Sequence, residues 1–209
     1  PDVVFGENAH LKLIAESYLY KDILEHQRIL KPHTLLKLLQ AIALQLWSEV
    51  SYHELSQIVW IDPATVEKYI DLLEKSFVLF RLTSFARNIR NELKKSKKIY
   101  FWDNGIRNTI INSYNEINLR SDIWPLRENF CISERMKYLS YHNQYTNSYF
   151  WRTKQQQEID YIEEENTKLN AFEFKRTEKK WWWVPSNFSQ EYDYSYTIIH
   201  PNNFESFIS

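Results

Sequence analysis

The chain has 209 residues, of which 44% are apolar and 25% are charged, a composition typical of a folded globular protein. Its 26 Lys and Arg residues nearly balance its 27 Asp and Glu residues, so the formal net charge is −1. A polyanion would therefore have to bind a local basic cluster, because the overall charge offers no attraction. Only two glycines, Gly6 and Gly105, are present, which excludes the glycine-rich loops that bind nucleotide phosphates.

Cysteine usage and hydropathy indicate the cellular compartment to expect for the chain. Cys131 is the single cysteine, and the histidines follow no zinc-binding spacing, so neither a disulfide framework nor a zinc site is predicted. No stretch approaches the roughly 20 apolar residues of a membrane span, and a secretory signal is lacking. We therefore expect a cytoplasmic protein without a membrane partner. Because the chain starts at Pro1 and contains only Met136, we also expect a fragment of a longer protein.

Two helices are predicted before residue 50. Apolar residues recur at a spacing of three and four over residues 9–30, and Pro32 ends this segment. The second helix, over residues 34–47, takes Thr34 as its N-cap and places leucines on the face to be buried. Both helices need apolar partners elsewhere in the chain.

Two shorter helices follow, each with an N-terminal capping signal. Ser51 and Glu54 form a capping box, in which each side chain satisfies the free backbone N–H of the other residue. Asp62 supplies an N-cap, and Pro63 occupies the first helical position, where proline is tolerated. A strand over residues 77–82 comes next. The order of helices and strand is that of a winged helix-turn-helix.

A basic stretch lies where the wing of such a domain is expected, before a strand over residues 98–102. Its cations are Arg87, Arg90, Lys94, Lys95, Lys97 and Lys98. They would either neutralise DNA phosphates or form a solvated hairpin that keeps a strand edge from aggregating. The helix from Pro63 carries mixed charge on its exposed positions, which is a poor fit to a DNA recognition helix.

The polar residues 113–122 lack any helical or strand period, and we place a domain boundary there. Before this boundary, the Asp103-Asn104-Gly105 turn ends the strand and opens another helix. Beyond it, the pattern predicts an α/β domain with a helix over residues 128–139. The strands predicted for this domain cover residues 148–152, 158–162, 169–175 and 194–200.

The second and third of these strands, joined by a polar turn over residues 163–168, carry the candidate chemistry. Side chains alternate along a strand, so burial of Phe172 and Phe174 turns Glu173 and Lys175 to the opposite face. Asp160 on the neighbouring strand can join them there. The sequence therefore predicts two carboxylates and one ammonium group in a shared polar hollow.

Such a group suits metal-assisted hydrolysis of phosphodiester bonds. Asp160 and Glu173 would bind Mg²⁺, which prefers one or two carboxylates together with substrate phosphate and water. Lys175 would orient the nucleophile and offset charge that grows on the phosphate. Glu128, in the first turn of the predicted helix, would either be a further ligand or complement the helix dipole. Glu134 on the same helix competes with it for the ligand role.

Asp160 followed by Glu173-Phe174-Lys175, with an upstream helical glutamate, resembles the signature of PD-(D/E)XK nucleases. Over most of the chain, the order of motifs resembles the C-terminal region of certain bacterial and archaeal AAA+ ATPases. In those proteins a P-loop module precedes a winged helix and a domain of unknown function with a restriction-endonuclease-like fold. The further matching segments are 18–23, 98–105, 128–130, 151–152 and 158–160.

The resemblance implies an α+β fold class with three parts. Residues 1–31 would be a helical segment that continues from an absent ATPase module, residues 32–120 a winged helix, and residues 121–209 a nuclease-like domain with a mixed central sheet. ATP would bind only to the absent module, which would be a partner on the same polypeptide.

Two functions remain open for the chain. One is Mg²⁺-dependent cleavage of DNA, and the other is a non-catalytic module that docks DNA or protein and couples it to the ATPase. The E-x-K tripeptide alone does not decide, because it recurs at residues 92–94 and 178–180. The Trp181-Trp182-Trp183 run would either stack on unpaired bases or, as we favour, contribute to packing.

Overall fold

The computed structural model of the protein shows a mixed α+β fold. It describes residues 31–86, 96–153, 155–178 and 183–209, together with the single positions Leu13 and Ser17. These residues form seven α-helices, one short 3₁₀ helix and seven β-strands. Within this described part, no helix is both long enough and apolar enough to cross a membrane.

The helices and strands are named here in chain order. The helices are α1 (Pro32–Leu44), α2 (Tyr52–Val59), α3 (Pro63–Lys75), α4 (Asn104–Ile110), the 3₁₀ helix (Ile117–Leu119), α5 (Ile123–Tyr141), α6 (Ser186–Glu191) and α7 (Phe204–Ile208). The strands are β1 (Glu49–Val50), β2 (Leu79–Ser84), β3 (Lys97–Phe101), β4 (Asn147–Arg152), β5 (Glu158–Glu165), β6 (Lys168–Phe174) and β7 (Tyr194–Ile199). The predicted α+β class is confirmed.

The chain divides into two compact units. The first comprises Pro1–Arg81 with Lys98–Phe130, and the second comprises Leu82–Lys97 with Cys131–Ser209. The dividing points therefore fall within β2, within β3 and within α5. The polar residues 113–122 lie inside the first unit. The three-part division at residues 31 and 120 stays a prediction.

The first unit is built from the predicted helices, and local capping explains where most of them begin. The Ser51 side chain accepts a hydrogen bond from the Glu54 N–H at the start of α2 (3.3 Å), and Asp62 does the same for α3 (2.9 Å). The N-cap predicted at Thr34 is wrong, because Pro32 takes the first helical turn of α1, and no side chain caps that helix.

Apolar faces of α1, α2 and α3 form the core of the first unit, together with residues of β2, β3 and α4. Leu38, Leu39 and Ile70 are fully buried in this core, as are Val78 and Phe101. The strand order here is β1-β3-β2. Three helices thus precede a strand in the predicted order. The basic segment expected at the wing lies largely outside the described residues, and the winged-helix assignment stays a prediction.

The second unit contains a mixed sheet in the order β2-β4-β5-β6-β7. The pairs β4–β5 and β5–β6 are antiparallel, whereas β2–β4 and β6–β7 are parallel. One apolar cluster includes Ile162, Ala171 and Phe188 of α6. Phe172 and Phe174 instead contact Phe207 of α7, with ring centroids 4.8 and 5.7 Å apart. Phe172 and Phe174 share one side of β6, as expected, but they are only half-buried there. The fully buried Leu169 and Ala171 lie on the opposite side, which is also the side of Glu173.

Candidate functional site

The hairpin of β5 and β6 carries the candidate site. The strands pair from Tyr161 opposite Phe172 to Glu165 opposite Lys168, so the predicted hairpin is confirmed. The turn is shorter than predicted, because only Asn166 and Thr167 separate the strands. Both residues have positive φ angles (50° and 74°), as two-residue hairpin turns require. Continued by one residue, the register places Asp160 opposite Glu173.

A β-bulge lies at the edge of this site. Tyr149 of β4 pairs with Ile162 of β5, but Trp151 pairs with Ile159, so two residues of β5 stand against one of β4. Asp160 is one of these two. The bulge lets Ile159 and Ile162 join the same apolar cluster, although strict alternation would turn them to opposite faces. No residue pattern in the sequence indicates the bulge.

Asp160, Glu173 and Lys175 lie together at this end of the hairpin. The Phe174 backbone N–H donates to the Asp160 carboxylate at 2.8 Å, which ties this aspartate to the Glu173 strand. Lys175 Nζ donates to Glu173 Oε1 at 2.5 Å. Glu173 and Lys175 side chains keep 13% and 25% of their surface exposed. The three residues are therefore neither locked beneath aromatic packing nor fully open to solvent.

The environment of Glu173 is unusual for a carboxylate. Burial, and then the negative charge of Asp160, raise the pKa of Glu173 to about 7, although Lys175 acts in the opposite direction. Its second oxygen, Oε2, is buried and has no hydrogen-bond partner among the described residues. A buried acceptor without a partner is costly, so this oxygen is suited to an external donor or cation.

The two carboxylates fit a hard divalent cation. Mg²⁺ is commonly held by one or two carboxylates while water and substrate oxygens complete its coordination. Asp160 and Glu173 would supply those protein ligands, with Glu173 Oε2 as the open acceptor. In the part of the chain that the structure describes, no group of three or more His, Cys, Asp or Glu side chains could hold a metal ion. Most ligands of a cation here would therefore be water or substrate.

Tyr196 of β7 belongs to the surroundings of this site, whereas the sequence analysis placed it only in the strand predicted over residues 194–200. It pairs with Ala171, one side-chain repeat from Glu173 on β6. Burial first, and then the charges of Glu173 and Asp160, raise the pKa of the Tyr196 hydroxyl. The alternation of Tyr194 and Tyr196 was a signal for the strand, but the parallel pairing of β7 with β6 is not readable from it.

Glu128 occupies a different setting, in the first unit. Helix α5 begins at Ile123, so Glu128 lies beyond the first turn and the helix-dipole interpretation is wrong. Its carboxylate is buried, accepts a hydrogen bond from the Tyr100 hydroxyl at 2.7 Å, and lies 3.8 Å from Lys98 Nζ. The negative charge of Glu128 thus compensates the positive charge of the buried Lys98. Glu134 pairs with Lys137 at 2.6 Å. The metal-ligand role of either glutamate stays a prediction.

The basic stretch is only partly described. Arg87, Arg90, Lys94 and Lys95 lie outside the described residues, as do Trp181 and Trp182. Lys97 is half-buried at the start of β3. Lys98 corrects the expectation of a phosphate contact, because only 2% of it is exposed and its ammonium is directed to Glu128. Residues 98–101 of β3 are all buried, so both faces of this strand are covered. Trp183 is 86% exposed.

The fold and site define an α+β chain of two units with an acidic pair and a lysine on a hairpin. Comparison with known families adds that the chain belongs to the family described as "Domain of unknown function (DUF8612)", whose model matches residues 6–116. The model described as "Domain of unknown function (DUF4143)" matches residues 125–198, which contain the hairpin site. Both families are of unknown function.

Two curated relatives are mycobacterial proteins. They are "Uncharacterized protein Rv2008c" of Mycobacterium tuberculosis and "Uncharacterized protein Mb2031c" of Mycobacterium bovis. Each is 27% identical over 126 residues, which cover 59% of this chain and 28% of the relative. The match thus spans little more than a quarter of the length of these relatives. No solved structure matches the chain.

Proposed function

We propose that Asp160, Glu173 and Lys175 form a Mg²⁺-dependent site that hydrolyses phosphodiester bonds in DNA. The observation that carries this proposal is the buried Glu173 Oε2, which has no hydrogen-bond partner in the described part of the chain although a second carboxylate lies beside it. Two carboxylates that share a half-buried site repel each other unless a proton, a cation or a lysine intervenes. Lys175 already occupies Oε1, which leaves Oε2 for the cation.

Each residue has a distinct part in the proposed reaction. When bound, Mg²⁺ supplies polarisation of the phosphate and a more acidic water. The Phe174 N–H orients the Asp160 carboxylate, so that this ligand loses little freedom on binding. Lys175, a quarter exposed, can leave Glu173 Oε1 for a phosphate oxygen and offset the charge that grows there.

We further propose that the chain is the C-terminal region of a longer ATP-binding protein of the AAA+ class. Two observations support this architecture: DUF4143 domains are often associated with ATPases, and the mycobacterial relatives extend well beyond the matched part. ATP would bind to a module outside the chain, because the two glycines of the chain cannot build a phosphate loop. Sequencing the complete reading frame tests this proposal directly.

A second candidate is a non-catalytic module that docks DNA or protein and couples it to the ATPase. It is favoured by the lack of a third metal-ligating side chain beside Asp160 and Glu173 among the described residues. In this case Glu173 and Lys175 form a partly exposed ion pair that contributes at most about 1 kcal/mol. The two candidates differ in cation binding and in hydrolysis.

Calorimetric titration of the 209-residue chain with MgCl₂ and MnCl₂ separates the candidates. We expect saturable binding that is lost in Asp160→Asn and Glu173→Gln, because each substitution removes one anionic ligand of similar shape. Glu165→Gln is the matched control, since Glu165 is an exposed glutamate at the far end of β5. Identical titration curves for all four proteins would end the metal hypothesis.

Hydrolysis is tested on single-stranded and double-stranded DNA with Mg²⁺, with Mn²⁺ and with EDTA. Lys175→Ala should lower the cleavage rate by about a hundredfold if its ammonium stabilises the transition state. Lys168→Ala, which removes an exposed lysine at the start of β6, should leave the rate unchanged. Cation binding without cleavage of any substrate would favour the docking module.

A further inference from the structure

A cavity of about 400 Å³ lies in the first unit, lined by residues between Asn104 and Phe130. Its volume falls within the range of small-molecule sites, roughly 300 to 1,000 Å³. The lining includes part of the polar stretch 113–122, where the sequence suggested a boundary. This stretch is anchored by Arg120, which donates to the Ser113 carbonyl oxygen at 2.8 Å and to Asp122. Hydrogen bonds and an ion pair of Arg120 therefore hold this part of the cavity wall in place.

The polar groups of the cavity are mainly hydrogen-bond donors. Tyr114 lines it, and the Tyr114 hydroxyl is buried without a hydrogen-bond partner among the described residues. Asn108 Oδ1 already accepts from Arg107 (3.2 Å) and Arg120 (2.9 Å), so only its NH₂ group remains available. A ligand that accepts hydrogen bonds would satisfy both residues.

The charge of the lining points in the same direction. Arg120 and Arg127 line the cavity, and none of the described lining residues is an aspartate or glutamate. Asp122 compensates Arg120 with contacts of 2.8 and 2.9 Å. Arg127 is exposed, and its guanidinium lies over the Trp124 ring, 5.1 Å from the centroid. This arrangement leaves a positive charge at the cavity that an anion would balance.

Part of the remaining wall is apolar. Ile117, Ile123, Leu126 and Phe130 contribute to it, and Ile117 and Phe130 keep 64% and 40% of their surface exposed. Binding is favourable when an apolar group of a ligand covers apolar side chains at an open cavity, because it removes their surface from water. We propose that this cavity binds a small organic anion: a carboxylate or phosphate group would accept hydrogen bonds from Tyr114 and Asn108, and an apolar body would cover the aliphatic and aromatic wall.

The proposal is tested by calorimetry on the 209-residue chain with phenyl phosphate and benzoate, and with benzyl alcohol as the neutral probe. At least one anion should bind saturably and about tenfold more tightly than benzyl alcohol. Whichever anion binds more tightly identifies the preferred group. Inorganic phosphate should bind about tenfold more weakly than phenyl phosphate, because it lacks the apolar body. Equal affinity for benzyl alcohol, or no saturable binding of either anion, would overturn the proposal.

Variants assign the binding to this cavity. Tyr114→Phe should weaken binding of the anion by about tenfold, because it removes one donor to a charged group. Arg127→Ala should weaken it by about fivefold. Lys37→Ala, which removes an exposed lysine of the first unit, should leave the affinity for the anion unchanged. Loss of binding in Lys175→Ala with full binding in Tyr114→Phe would assign the anion to the hairpin and overturn the proposal.

A melting experiment without ligand checks the role of the hydroxyl. Because the buried Tyr114 oxygen has no partner among the residues that the structure describes, Tyr114→Phe should raise the melting temperature of the free chain while it weakens anion binding. A lower melting temperature would show that the hydroxyl already has an internal partner, and the proposal would then be wrong.

Discussion

Replacing Glu173 with glutamine should make the stability of the chain less dependent on pH. In the folded chain, burial and the nearby Asp160 raise the pKa of Glu173 to about 7 from the ordinary 4.5. Between these two values the folded state binds more protons than the unfolded state. The free energy of unfolding therefore falls as pH rises through this window, and the full penalty is present above about pH 7.

The size of this effect follows from the shift of the pKa. At 1.36 kcal/mol for each pH unit, the penalty at neutral pH and above is about 3 kcal/mol. The Glu173 side chain is only 13% exposed, so solvent screening reduces this figure little. Glutamine keeps an acceptor for Lys175, and the ionic part of that contact is already contained in the net shift of the pKa, which Lys175 lowers. Glu173→Gln should thus be more stable than the wild type by about 3 kcal/mol above pH 7.

Urea unfolding at about pH 4, 6 and 8 measures the prediction, because the difference between the two proteins removes contributions from other titrating groups. The variant should have the same stability as the wild type or slightly less at the lowest pH, and should exceed it at the highest. Glu165→Gln, which alters an exposed glutamate of the neighbouring strand β5, should show no such crossover. Parallel curves for Glu173→Gln and the wild type would refute the assignment of a raised pKa.

Three further substitutions test the buried polar contacts of the two units. Arg135→Met should lower the free energy of unfolding by about 3–5 kcal/mol, because Glu163 is buried and loses both guanidinium contacts. In urea unfolding, the double variant Arg135→Met with Glu163→Gln should recover most of this loss. Hydrogen bonds from Arg120, with a further guanidinium contact, hold the pKa of Asp122 at about 2, so Asp122→Asn should cost about 2 kcal/mol at neutral pH. This difference should vanish as acid titration followed by circular dichroism passes from about pH 4 through pH 2. Asn129→Ala should cost about 2–4 kcal/mol, because three hydrogen bonds of a fully buried amide are lost; an unchanged melting temperature would contradict this.

Local signals in the sequence were sufficient for many elements. Ser51, Asp62 and Asp103 cap the helices that follow them, because an N-cap depends only on the backbone within three residues. The alternation around Phe172 and Phe174 likewise predicted that both rings share one side of β6, since the period of a strand is fixed by its pleat. It did not predict that the opposite side, with Leu169 and Ala171, is the more deeply buried one. The hairpin followed from two such strands beside one short polar segment.

The long helix α5 shows where local reasoning failed. The sequence suggested a helix start near Glu128, but α5 begins at Ile123 and includes Pro125 in its first turn, where proline is tolerated. The polar residues before it looked like a linker because their composition lacks a period. Ion pairs with arginines hold these residues in place instead. The pair between Asp122 and Arg107 is an example, and composition does not encode it.

For this protein, capping residues determined where α2, α3 and α4 begin, and side-chain alternation separated the two faces of β6, because both depend on neighbours along the chain. Tertiary structure alone decided the bulge at Asp160, the unpartnered oxygen of Glu173, the burial of Lys98 against Glu128 and the cavity beside Tyr114. Each of these arises from contacts between elements far apart in sequence. Desolvation and pairing there depend on what packs around a side chain rather than on its own identity.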